Sequence, residues 1–325
     1  MSGNGVDMER PRSILLATDL GARSDRALDR AVQLAKDWQS PLVVATVIEA
    51  GAGRIDLMAL RDPPDWYRGE DPEQVAERQL LEAMSAQGVD AEFRVERGPP
   101  GDRLLEVAEA EGCDLVVAGV ARHESLGRAV LGSTVDRLAW RSPVPVLVVR
   151  GRVQGPYRRM LVASDWSASA EHAMRTAMAM FPQSAITVLH GYEVPMAGLM
   201  DTTREQMLAA VRDQALADGR EFIARCQPPG GVGSVSLVVE RGDPSLLMRM
   251  YASQYPVDLA VVATHGRSAL LDVMLGSVAQ RLLEDLPLDT LVVRKPSADA
   301  SWEPGLPATD PTGGWRRGPL PAGAR

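Results

Sequence analysis

The amino-acid sequence predicts an α/β protein made of two copies of one unit, each a doubly wound parallel sheet of five strands covered by helices on both faces. Three observations carry this. The first is an internal repeat. Asp114-Leu115-Val116-Val117-Ala118-Gly119, followed by Leu131-Gly132-Ser133, returns as Asp258-Leu259-Ala260-Val261-Val262-Ala263, followed by Leu275-Gly276-Ser277 at the same spacing. Arg97-Gly98 against Arg241-Gly242, and Leu147 to Arg150 against Leu291 to Arg294, keep that register. A repeat of this length decides architecture before any local assignment. The second is the alternation of short, continuously aliphatic runs with stretches of helical period, the pattern of strands buried on both faces and joined by right-handed crossovers. The third is composition. Aromatic residues make up only 4% of the chain, so Leu, Val and Ala must supply the core, as in open sheets under aliphatic helices.

Taken in order, Ser13 to Asp19 is an apolar strand ending in a carboxylate, and Gly21 allows the turn into a helix that Ser24 can cap. That helix turns Ala27, Leu28, Ala31, Val32, Leu34 and Ala35 inward and Arg26, Asp29, Arg30 and Lys36 outward. Pro41 to Ile48 is the second strand. Residues 49 to 71 form a loop rich in Gly, Pro and charge, long enough to be functional or mobile. Pro72 to Gly88 is helical, with Val75, Leu80, Leu81 and Met84 inward and Gly88 as the C-terminal cap. Ala91 to Glu96, a helix over Asp102 to Ala110, a strand from Asp114, a helix over Gly132 to Trp140 and a strand over Val144 to Arg150 complete the first copy.

The second copy restarts at Met160 to Asp165 after a short linker, with Ser167 or Ser169 as the next cap. It continues through a strand at Ala185 to Tyr192, a long helix within Thr202 to Cys226, a strand at Val235 to Glu240, a helix from Pro244 to Tyr255, a strand from Asp258 and a last strand from Pro287 to Val293. This assigns residues 1–12 to a tail, 13–151 and 158–295 to the two domains, and 296–325 to a disordered tail crowded with Pro and Gly.

Net charge is −8, which argues against a general phosphate-backbone binder and hence against nucleic acid as partner. The two cysteines, Cys113 and Cys226, lie in different copies and form no ligand cluster, so both read as buried thiols of a reducing compartment. Met1 to Arg12 lacks the apolar core of a signal peptide, and no run reaches the length of a membrane span. The expectation is a soluble cytoplasmic protein with no membrane partner.

The chemistry concentrates where the repeated strand runs into a glycine turn and a new helix opens at Gly-Ser. Glycine lets backbone approach a ligand, and the first N–H groups of a helix face whatever sits there. A phosphate suits such a junction. Gly127 to Thr134 resembles a P-loop frame but puts Ser133 at the lysine position, and the second copy has Leu271 where Gly127 stands, so the likeness is accidental. His123, His172 and His190 have no partner at ligand or triad spacing, and His265 reads as a surface residue of a turn. No nucleophile stands with a base, so no catalytic residue and no metal ligand is assigned.

A first strand ending in Asp, a glycine turn after the fourth strand, and a later Gly-Ser pair resemble the universal stress protein family, here in tandem over nearly all of Ser13 to Lys295. The resemblance implies a fold like that of the adenine nucleotide alpha hydrolases. It also implies an adenine nucleotide at the C-terminal edge of the sheet: ATP, or as readily ADP or AMP, with Mg or Mn only as carried by the nucleotide. By position, the first copy offers Asp19 to the ribose, Val47 to the base, Gly119 and Gly132 as close-approach backbone, and Ser133 to the phosphates. Arg122 stands where the family pattern has glycine, and a positive φ there would cost about 1–2 kcal/mol. The second copy offers Ala163 and Asp165 at the strand end, then Gly266, Gly276 and Ser277, with Ala263 at the first glycine. Gly191 stands where the family often has valine, a loss of about 1–2 kcal/mol of apolar contact. The expectation is nucleotide binding mainly in the second copy, with at most weak ATPase activity. The competing reading is a nucleotide-independent interaction module with an unknown protein partner. Asp19 and Asp165 can also simply close the next turn, and Ser133 and Ser277 can simply cap helices.

Family homodimers pair their last strands across a two-fold axis. The apolar last strands here would otherwise leave aggregation-prone edges. The resemblance therefore implies an intrachain pseudo-dimer with Val144 to Val149 antiparallel to Pro287 to Val293, open to further homodimerisation.

Overall fold

The computed structural model describes residues 11–22, 24–49, 71–85, 87–120, 123–125, 128–130, 132–193, 201–226, 234–264 and 276–295. The first half runs β1 (Ile14–Ala17), α1 (Asp25–Trp38), β2 (Leu42–Ile48), α2 (Pro72–Ser85), β3 (Ala91–Arg97), α3 (Pro100–Ala110), β4 (Leu115–Gly119), β5 (His123–Ser125), β6 (Arg128–Val130), α4 (Ser133–Arg141) and β7 (Val146–Val149). The second half runs β8 (Arg159–Ala163), α5 (Ala168–Met180), β9 (Ala185–Tyr192), α6 (Asp201–Cys226), β10 (Val235–Arg241), α7 (Pro244–Gln254), β11 (Leu259–Ala263), α8 (Ser277–Asp285) and β12 (Asp289–Val293).

The main strands form one ten-stranded sheet in the order β10-β9-β8-β11-β12-β7-β4-β1-β2-β3. From the centre outward, each half repeats the same sequence of strands. Within each half every pairing is parallel, as the unbroken aliphatic runs require. The halves meet where β12 runs antiparallel to β7, with Thr290 opposite Val148, Leu291 opposite Leu147 and Val292 opposite Val146. Pro145 stands outside this ladder, where its missing N–H costs nothing. Alternate residues of each strand feed two cores. Ile14, Leu16, Leu147 and Leu291 belong to the one under α1, α2, α5 and α6. Leu15, Val146, Val148 and Val292 belong to the one under α3, α4, α7 and α8. Both cores cross the seam, so the halves share hydrophobic layers as well as a ladder.

Helix-terminal charges tie the seam reciprocally. The Arg150 guanidinium donates to the Leu283 carbonyl near the end of α8, and Arg294, its counterpart in the repeat, donates to the Trp140 carbonyl near the end of α4 at 3.5 Å. A cation at a helix C-terminus satisfies an orphan carbonyl and opposes the partial negative charge there.

Several expectations are corrected. Ser24 occupies the N-terminal boundary of α1 in helical conformation, and its hydroxyl bonds Asp19 instead of capping the helix. Arg30 is buried, only 4% exposed, because the other half covers the face of α1 that a lone domain would show to water. Leu81, placed inward by the helical period, is 46% exposed. Where the sequence suggested only a loop after β4, β5 and β6 form a two-stranded antiparallel hairpin. Strands this short carry no readable periodicity. Most of the 49–71 loop and both tails lie outside the described residues.

Candidate functional site

The strand ends build the same turn twice. After β1, Leu20 sits at φ 59°, and its N–H donates to Thr18 Oγ1 at 3.0 Å. After β8, Trp166 sits at φ 64°, and its N–H donates to Ser164 Oγ at 3.1 Å. A left-handed non-glycine residue is uncommon, and here a hydroxyl on the strand's end holds each one. Between hydroxyl and left-handed residue sits the carboxylate. Asp19 Oδ1 accepts from the Gly21 N–H at 2.9 Å and the Ser24 hydroxyl at 2.6 Å. Asp165 Oδ1 accepts from the Ser167 N–H at 3.0 Å. Each acid thus closes its own turn with one oxygen. In the second half Ser167, of the two candidates, is the true cap of α5, accepting from the Ala170 N–H at 3.1 Å.

The parallel registers bring the anticipated residues to one edge. In the first half, Ala17 lies opposite Ala45 and Ala118, so Asp19, Val47 and Gly119 stand at the C-terminal ends of three neighbouring strands. In the second, Ala163 lies opposite Leu189, and β11 flanks β8 on the other side, so Asp165, Gly191 and Ala263 stand likewise. The Gly-Ser junctions start α4 and α8. Gly132 and Gly276 are the boundary residues, Ser133 and Ser277 are the first helical residues and exposed, and among the described residues neither helix carries a side-chain cap. The capping role expected as the alternative for the two serines is therefore not taken up. Gly276 is needed for space rather than for conformation: its N–H donates to the Thr264 carbonyl at 2.8 Å, and a Cβ on it would lie 3.0 Å from that oxygen. Gly266, Arg122 and His265 lie outside the described residues.

Two differences between the halves escaped the sequence. The room beside Gly191 is not vacant: a Cβ there would meet the Gly242 carbonyl oxygen at 2.7 Å, Pro244 at 3.0 Å and Leu247 at 3.1 Å. Leu247 thus stands against the backbone where the first half carries the Val47 side chain. The repeat register sets Arg103 against Leu247, and Arg103 reaches instead to the Arg97 carbonyl at 3.1 Å. The pair of changes is legible only by aligning the two copies side by side. The second difference is Trp166, which stacks on His190 at 4.5 Å and packs on Phe222 at 5.3 Å. A Cβ on Gly219 would come within 2.9 Å of the indole, so α6 needs glycine there. His190 Nδ1 lies 2.8 Å from the Ser164 carbonyl, which can only accept, so that nitrogen carries the proton. In the first half Leu20 replaces the indole, and a cavity of about 60 Å³ opens between α1 and α2, lined by Leu20, Leu28, Val44, Leu80 and Met84 with Thr18.

Among the described residues no group of acids, histidines or cysteines could hold a metal ion, and no helix is long and apolar enough to cross a membrane. The model of the universal stress protein family matches residues 11–150 and again residues 156–294. The chain belongs to the universal stress protein family. A universal stress protein of Mycolicibacterium smegmatis is 25% identical over 86% of this chain and 96% of its own length. One from Mycobacterium tuberculosis is 25% identical over 89% of this chain and all of the relative. Among solved structures, a universal stress protein from Archaeoglobus fulgidus aligns at a TM-score of 0.57 and 17% identity over 87% of this chain and 98% of the other. A Pseudomonas aeruginosa protein of unknown function aligns at 0.63 and 18% identity over 88% of this chain and 94% of the other. These full-length matches show the tandem α/β fold of this universal stress protein.

Proposed function

We propose that this tandem universal stress protein binds an adenine nucleotide at the C-terminal edge of its sheet, chiefly in the second half, and serves a cytoplasmic stress response by changing shape or partners. The observation that carries the reading is the start of α8. Its boundary residue Gly276 has no side chain to cap the first-turn amides, the Ser277 hydroxyl is exposed beside them, and Gly276 lets the backbone fold tightly onto the end of β11. A helix N-terminus that begins at a glycine in this way is a seat for phosphate. Asp165, fixed in its turn by the Ser167 N–H, stands at the end of the adjacent strand β8, where a ribose would lie. ATP, ADP and AMP all present the required groups, and Mg or Mn would arrive with the nucleotide. No residue is assigned to hydrolysis.

Binding of ATP to two variants tests this. Gly266→Arg should weaken binding at least about tenfold, a loss of ~1.4 kcal/mol. Arg122→Gly should leave that site intact and strengthen the first half. Unchanged affinity in Gly266→Arg would refute the assignment to the second half. The filled space beside Gly191 favours the second reading, an interaction module without nucleotide, in which the edge serves a protein partner. Failure of every variant and of the unaltered protein to bind any adenine nucleotide would select that reading.

A further inference from the structure

The ten-stranded sheet ends in β3 on one side and β10 on the other, and the two ends are finished differently. Each strand runs seven residues and pairs, without a bulge, with one parallel neighbour. At the two ends of β10 the Ser234 carbonyl accepts from the Ile186 N–H at 2.9 Å and the Gly242 N–H donates to the Tyr192 carbonyl at 3.0 Å. Main-chain groups of a parallel strand alternate in direction, so Val235, Leu237, Val239 and Arg241 turn theirs to the outer edge. At the other end the Gly98 N–H donates to the Ile48 carbonyl at 3.2 Å, and Ala91, Phe93, Val95 and Arg97 face outward in the same way.

The β3 edge is closed off by side chains. Its outward Phe93 carbonyl accepts from the Arg94 guanidinium at 2.9 Å, and its outward Arg97 carbonyl accepts from Arg103 at 3.1 Å. Arg94 is itself held by Glu92 at 2.9 Å and Glu111 at 2.7 Å. In the repeat register Glu92, Arg94, Arg103 and Glu111 become Ser236, Val238, Leu247 and Tyr255, so the second half has none of these charges. Among the described residues no side chain bonds the outward carbonyls of β10, and no strand lies beyond it. An edge whose middle carries neither charge, proline nor bulge is a template for another strand.

We propose that β10 pairs antiparallel with β10 of a second copy about a two-fold axis through Val238, continuing the sheet from one molecule into the next. That register sets Leu237 opposite Val239 and Val235 opposite Arg241, so every outward residue of the strand exchanges its N–H and C=O bonds with the other copy. Side chains agree. Val238 meets Val238 and Ser236 meets Glu240, with no like charges opposed. The same operation on β3 would set Arg94 against Arg94 and Glu92 against Glu96, which is destabilising. Pairing β10 with β3 of the next copy in the equivalent register would set Glu240 against Glu92, and the Phe93 and Arg97 carbonyls are already engaged. The contact therefore closes as a two-fold dimer rather than running on as a fibre. Inside the chain, β7 and β12 already join in this antiparallel way.

Analytical ultracentrifugation of the full chain over a range of concentrations tests this. The parent should show a reversible dimer. Ser236→Glu, at an exposed position, places a like charge opposite Glu240 on both sides of the axis and should raise the dimer dissociation constant at least about fivefold. Adding Glu240→Lys should bring it back to within about twofold of the parent. Within one strand those two positions lie about 13 Å apart, so they meet only across the axis and a merely structural effect would not be rescued. Val238→Cys, on the axis, should form a disulfide-linked dimer on air oxidation, while the native cysteines are buried and leave the parent uncross-linked. That cross-link decides if the Ser236 variants fail to fold. A parent that stays monomeric up to about 1 mM would overturn the proposal. So would a dimer that Ser236→Glu does not weaken, or one in which Val238→Cys forms no cross-link.

Discussion

At Gly191 the chain's own atoms occupy the space that a side chain would need. Gly191→Val forces a Cβ against the Gly242 carbonyl oxygen, and overpacking of this kind costs about 1–3 kcal/mol. The variant should melt lower than the parent, and adding Leu247→Ala should recover part of the loss, measured by thermal denaturation. A gain in stability would contradict the packing described. Asp258 gives a pH-dependent counterpart. It is partly buried, which alone would raise its pKa, but the Arg159 guanidinium and the Arg158 and Arg159 N–H groups outweigh burial and hold it below the usual 3.8. An acid whose folded pKa is depressed adds stability that is complete above its unfolded value and is lost as pH falls through the folded one. Asp258→Asn should therefore lower stability at neutral pH, and the difference from the parent should shrink as pH falls below 3.8. A difference constant between pH 7 and pH 3 would sink this assignment. Burial pushes the Cys113 thiol up to about 11 and the Cys226 thiol up to about 12. Because the thiolate is the nucleophile, iodoacetamide at pH 8 should label neither until the protein unfolds.

At the scale of elements, the aliphatic strands are legible because parallel strands are buried on both faces and need no alternation. Their observed bounds match the sequence reading to within a residue or two, and β9 matches it at both ends. The acid turns and glycine junctions are legible for the same reason that they are useful: each needs particular residues at fixed distances from a strand end. Arg30 is not, because an arginine in a helical pattern reads as solvated until a second domain covers it. Nor, within either copy alone, is the exchange between Val47 with Arg103 and Gly191 with Leu247, which is a property of a strand end and a helix start in contact rather than of either stretch by itself. The turn after β8 adds a prediction. Trp166 fills a slot between α5, α6 and β9, and the equivalent slot beside Leu20 is open. Trp166→Leu should destabilise by about 2–4 kcal/mol through the cavity it leaves. Leu20→Trp, at a φ that the second half shows an indole tolerates, should cost less than 1 kcal/mol or stabilise. Equal losses in both would mean the halves do not differ there.

For the molecule as a whole, the antiparallel β7–β12 pair turns two family domains into one sheet with two candidate nucleotide edges on opposite sides of a pseudo-two-fold. Val148 and Val292 are 0% and 1% exposed at that seam. Lysine at both positions would bury charge without a partner, and should open the interface, giving dye binding and self-association. Variants that stay monodisperse and melt like the parent would contradict the shared core. The central functional claim is that one of these edges holds an adenine nucleotide. It is met most directly by denaturing the freshly purified protein, separating what is released by chromatography, and titrating the stripped protein calorimetrically with ATP, ADP and AMP. The account predicts released adenine nucleotide and saturable rebinding, both diminished in Gly266→Arg. No released nucleotide and no heat of binding up to about 1 mM of any of the three would contradict it.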